Sequence, residues 1–164
     1  KYVVRSANDE DIEGSFPSFA PIANSNSALG SGGALARLRV MAVDVNGKRY
    51  LVGQDSVLAT DGRLERQRDP SYCTSDAYHA LTLAALAYMR QPVMDVLVLG
   101  LPLSTLPTYR AHLEKKYTGR IVLPAPHTLG VTQDRPNSVN IKRVLVVPQP
   151  AGALMTVAHS EPEL

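Results

Sequence analysis

At 164 residues and 45% hydrophobic, the chain can bury a proper core, as one domain or as one compact half of a larger one. Its 17 basic and 15 acidic residues leave a formal charge of +2. They interleave, as in "DGRLERQRD" and "RAHLEKKYTGR", which gives solvated faces rather than a nucleic-acid footprint. The single cysteine, Cys73, excludes an internal disulfide and a cysteine-based zinc site and fits a reducing compartment. No apolar run nears the roughly 20 residues that span a bilayer.

In chain order, "KYVVRSA" predicts a strand already under way at its first residue, with a partner expected upstream. The following segment, "NDEDIEGSFPSFAPIANSNSALGSGGA", is rich in Gly, Ser, Asn and Pro and reads mainly as loop, with Phe16 to Phe19 as a candidate anchor. "LARLRVMAVDVNGKRYLVG" predicts a hairpin. Leu38, Val40, Ala42 and Asp44 alternate with Arg39, Met41, Val43 and Val45, and Asn46-Gly47 is the favoured pair for a two-residue type I′ turn. "TSDAYHALTLAALAYMRQ" predicts a helix over 74–90. Thr74 or Ser75 can cap it, Ala77, Leu81, Ala84, Ala85 and Tyr88 recur at helical spacing, and Pro92 stops it.

"VMDVLVLGLPLS" is nearly continuous in its apolar residues, the pattern of a central parallel strand. An amphipathic helix over 106–118 follows, with Gly119 as its C-terminal cap. "RIVLPAP" and "SVNIKRVLVVPQP" are two further strands, and "AGALMTVAHS" begins a helix. A hairpin region followed by helix, strand, helix, strand, strand and helix indicates an α/β fold with a partly parallel sheet.

Candidate chemistry is sparse. Gly30 to Gly33, "GSGG", lacks both the Gly-Lys-Ser/Thr ending of a P-loop and the spacing of a dinucleotide fingerprint, so a flexible loop is the favoured reading. His79, His112, His127 and His159 form no i, i+4 pair, which argues against a metal site. Cys73 has no evident base beside it, and Asp55, Asp61 and Asp69 lie in polar turns. No Gly-x-Ser-x-Gly elbow occurs. The singular feature is Gln149, a lone amide between Pro148 and Pro150 where an apolar strand ends. The prolines fix the backbone on both sides of it. An uncharged amide that donates and accepts at once suits orienting a water molecule, and equally suits an ordinary loop.

Three segments carry a resemblance. The strand ending Gly100 to Leu103 precedes a basic helix and "TG". The hairpin "VDVNGKRYLVGQDS" is similar to a segment of the form Ile-Asn-Gly-x-x-Tyr-x-Val-Gly. The run Val147 to Gly152 matches a Pro-Gln/Glu-Pro-x-Gly motif. Together they resemble the first domain of the ParM/StbA-type bacterial actin-like ATPases, closest to plasmid-borne members such as the PRTRC-system protein D group. Residues 20–36 and 124–137 contribute little to the likeness.

The resemblance implies an actin-like, ribonuclease H-like α/β domain I: a mixed sheet flanked by helices. Residues 1–14 and 74–164 would form its core, and 15–73 a small inserted subdomain with the hairpin. It implies that Lys1 closes a phosphate loop begun upstream and touches the β/γ-phosphates, and that a second phosphate loop and the whole of domain II lie beyond this chain. Gln149 would orient the water that attacks the γ-phosphate, and Gly152 would line the nucleotide site. No residue is expected to ligate a metal directly; Mg²⁺ would arrive with ATP or ADP. In the full-length protein the implied function is ATP hydrolysis coupled to filament assembly for plasmid segregation in the cytoplasm. DNA would be contacted through a DNA-binding adaptor, with no direct nucleic-acid or membrane contact. The alternative is a non-polymerising actin-like module with a regulatory or scaffold role and no ATPase activity.

Overall fold

A computed structural model describes residues 1–5, 12–23, 39–58, 69–124 and 136–149. The chain divides into two compact units, one of residues 1–91 with 122–137 and one of residues 92–121 with 138–164.

In the first unit, β1 (Tyr2–Val4) pairs antiparallel with β2 (Ile12–Gly14), so one partner of the opening strand lies downstream, inside the segment read as loop. The Tyr2 ring lies over Gly14, the residue opposite it, and also meets Phe16 and Tyr88 at ring-centroid distances of 6.3 and 6.2 Å. The expected hairpin is β3 (Val40–Val45) and β4 (Lys48–Gly53). Its register runs from Val45 opposite Lys48 to Val40 opposite Gly53. Asn46 and Gly47 take φ of 49° and 74°, the left-handed pair that a type I′ turn requires.

Both faces of this hairpin are mostly buried: Val40 to Val43 and Tyr50 to Gly53 are all covered. The alternation read from the sequence does not hold, because the ribbon is enclosed rather than half-solvated. A further chain segment runs along β4, where Leu51 N–H donates to Pro21 O (2.9 Å) and Ala23 N–H to Arg49 O (2.7 Å). At the wet end, Arg49 forks onto the directly opposed Asp44 at 2.8 and 2.9 Å. At the other end, the Asp55 carboxylate accepts from Arg39 N–H at 2.8 Å and from Arg39 Nε at 3.3 Å.

Helix α1 (Asp76–Met89) follows a short 3-10 turn, Tyr72–Thr74. Of the two candidate caps, Ser75 serves: its hydroxyl accepts from Tyr78 N–H at 3.2 Å. α1 packs on β1, β3 and β4. Ala80 to Ala84, Leu86, Ala87 and Met89 are all buried, an unusually broad apolar surface for one helix. It ends at Arg90, which adopts φ 54° just before Pro92.

The second unit is built on a three-stranded sheet of order β5 (Val93–Leu101), β7 (Ser138–Pro148) and β6 (Gly119–Val122). β5 and β7 are parallel, from Val93 opposite Asn140 to Leu101 opposite Pro148. The central strand is therefore β7, whose Val139, Ile141, Val144 and Val146 are buried. Among the described strands β5 lies at the edge of this sheet, and Val96 and Val98 are 40% and 57% exposed. Helix α2 (Leu106–Tyr117) packs on β7 through the fully buried Leu113 and Tyr117. Thr118, not Gly119, is the residue that terminates it; the Thr118 hydroxyl donates to Glu114 O at 2.6 Å, and Gly119 follows at φ 99°. Glu114 also accepts from the Val146 amide of β7 at 3.4 Å and from Arg110 Nε at 3.0 Å. Those donors, Arg110 first, hold its carboxyl below the usual range.

Candidate functional site

The second unit brings the carboxyl ends of two parallel strands side by side. In open α/β sheets such ends leave a crevice where ligands bind. Gly100 pairs with Val147 and Leu101 with Pro148, and Pro148, having no N–H, closes the ladder. Gln149 is the next residue and is exposed. An ideal Cβ placed on Gly100 would lie 3.1 Å from Gln149 Cγ, so the glutamine side chain crosses the bare backbone of its neighbour strand.

Four residues separate the end of β5 from the start of helix α2. Its entry is fixed by Pro102 O, which accepts from Thr105 N–H, Leu106 N–H and the Thr105 hydroxyl at 3.1, 3.0 and 3.2 Å. Gln149 can donate and accept but cannot act as a strong base. Among the described residues no group of three or more His, Cys, Asp or Glu side chains could hold a metal ion. What the Gln149 amide itself can do is orient a small polar molecule.

Lys1 stands in the first unit. Its ammonium is 3.0 Å from the Glu13 carboxylate, with both side chains 65% exposed. Such a surface pair contributes little to stability. Gly152 lies outside the described residues, as do the "GSGG" segment and the helix expected from Ala151. Gly100, which lies against Gln149, is not marked as a site residue by the sequence pattern. The available signal was a glycine interrupting the otherwise apolar run Val96 to Leu101.

The family model for the N-terminal domain of actin-like proteins matches residues 3–152, nearly the whole chain. The chain belongs to this family. The matched span of the actin-like domain includes Gln149 and Gly152 and begins just after Lys1. No curated protein and no solved structure matches the chain. The α/β content with small sheets agrees with the family assignment. No helix among the described residues is long and apolar enough to cross a membrane.

Proposed function

We propose that this actin-like N-terminal domain belongs to a ParM/StbA-type ATPase that assembles into filaments and segregates plasmid DNA through a DNA-binding adaptor in the cytoplasm. The finer architecture is then a ribonuclease H-like domain I with residues 15–73 as its small inserted subdomain. The observation that carries the reading is Gln149, an exposed residue just past the carboxyl end of β7, lying over a glycine on β5. The absent Cβ at Gly100 leaves room for the Gln149 side chain to pass.

Phosphoryl transfer needs little covalent help from the protein; it needs an in-line water and stabilised charge. Bound ATP with Mg²⁺ would supply the γ-phosphoryl group and its charge neutralisation. Gln149 would accept from and donate to the water, holding it without ionising it. By the family likeness Lys1 would touch the β/γ-phosphates, and Gly152 would line the nucleotide site.

The test is Gln149→Ala in the full-length protein. ATP hydrolysis is expected to slow by about 10- to 1000-fold, roughly 1.4–4 kcal/mol of barrier. Nucleotide affinity should hardly change, because the amide acts on the water, and filaments should persist longer with ATP. Unchanged turnover in a folded, ATP-binding variant would mean that the Pro-Gln-Pro segment is only a turn.

A further inference from the structure

We infer that Gly100 is a positioning residue for Gln149, and that the missing side chain at this point of β5 sets where the amide sits. The inference rests on the reading of Gln149 given above. Glycine weakens a strand relative to a residue with a side chain, so its place inside β5 calls for a reason. Backbone conformation does not supply one. Gly47, Gly53 and Gly119 have positive φ among the described glycines, and Gly100 does not.

Space does supply one. Among the described residues, an ideal Cβ on Gly100 meets only Gln149 within 4 Å, at 3.1 Å from Cγ and 3.9 Å from Cα. The first distance is closer than an ordinary carbon–carbon contact. Gly100 itself is exposed. Pairing of Gly100 with Val147 puts Gln149 two residues further along the chain, just past the end of the partner strand, where its side chain passes close to the glycine. Cγ is the pivot of the amide. A push of a few tenths of an ångström at Cγ is passed on to the oxygen and nitrogen that would hold the water. Alanine at 100 would displace the pivot slightly, and valine, with two branches, would force it aside.

The experiment compares Gly100→Ala and Gly100→Val in the full-length protein, each with Gln149 intact and with Gln149→Ala. With Gln149 present, valine should lower kcat for ATP about 10-fold or more and alanine a few-fold, since small misplacements near chemistry are costly. The KM for ATP should stay within about 2-fold, because the ground state is held elsewhere. In the Gln149→Ala background neither substitution should lower the rate further, the non-additivity expected of groups acting as a unit. A second readout does not depend on turnover. The Gln149 side-chain amide resonance, assigned by its loss in Gln149→Ala, should move in Gly100→Ala.

Equal slowing in both backgrounds would make Gly100 a purely structural residue and overturn the inference. So would an unmoved amide resonance together with normal turnover in Gly100→Ala. If Gln149→Ala alone leaves turnover unchanged, the water-orienting reading fails and takes this inference with it. That result differs from one in which Gln149→Ala is slow and Gly100→Val is not.

Discussion

Two glycines on one hairpin give a graded test of what holds the first unit together. A Cβ on Gly53 would collide with the carbonyl oxygen of Arg39 and lie 2.8 Å from Val40 Cα, both backbone atoms that cannot rotate away. A Cβ on Gly47 would meet nothing within 4 Å, and only its φ of +74° resists a side chain. Gly53→Ala must therefore part β3 from β4 at the Val40–Gly53 pair and strain the Asp55 bond to Arg39 N–H, inside a buried ribbon. Overpacking of this kind costs about 1–3 kcal/mol. With a loosened strand end added, we expect roughly 2–4 kcal/mol, or a Tm lower by about 4–16 °C for a chain of this size. Gly47→Ala should lose about 1–2 kcal/mol from left-handed strain alone. Thermal unfolding of the two variants side by side, followed by circular dichroism, checks the order. Gly53→Ala melting at or above Gly47→Ala would refute the argument that backbone approach, rather than turn conformation, is the tighter constraint.

Leu113→Ala removes a fully buried side chain between α2 and β7 and should destabilise by about 2–5 kcal/mol in urea unfolding. Ser75→Ala deletes the cap on Tyr78 N–H and should cost about 1 kcal/mol, with Ser75→Asp restoring most of it in the same melt. The backbone N–H of Arg39, then its side chain, holds the Asp55 carboxyl below the usual range. A lowered folded-state value means that this contribution is present above the unfolded value near about 4 and fades as pH falls through the folded one. Asp55→Asn should therefore lose less stability than the parent chain between about pH 5 and pH 2, measured as Tm against pH. An identical acid limb would show that the pair with Arg39 does not contribute.

Local chemistry made part of this molecule legible in the sequence. Asn46-Gly47 dictates its turn because few other residues tolerate two left-handed conformations in succession, and Ser75 followed by Asp76 opens α1 for reasons confined to one helical turn. Neighbours across space are another matter. The apolar run of β5 reads as a central strand, yet among the described strands it lies at the sheet edge with Val96 and Val98 exposed, because a run of valines does not encode how many strands flank it. Ile12–Gly14 was invisible as a strand because it is only three residues long, beside acidic and polar neighbours, and is secured by its pairing with β1. The Pro-Gln-Pro break marked Gln149 from the sequence. That Gly100 lies beneath it follows from a parallel register spanning 47 positions, Gly100 to Val147, which no local pattern reveals.

The ring cluster of Tyr2, Phe16 and Tyr88 has a spectroscopic consequence. The chain has no tryptophan and 7 tyrosines. Tyr2, Tyr50, Tyr72, Tyr78 and Tyr88 belong to the first unit, and only Tyr109 and Tyr117 to the second. Tyr2 and Tyr88 stack nearly parallel, 8° apart, and Tyr72 meets Tyr78 edge-on at 85°, so their transition dipoles sit in fixed, chiral arrangements. Near-ultraviolet dichroism and intrinsic tyrosine emission will thus report mainly on the first unit, without any dye or engineered label. A tryptophan placed in the second unit, where no native indole competes, would give that unit its own optical signal.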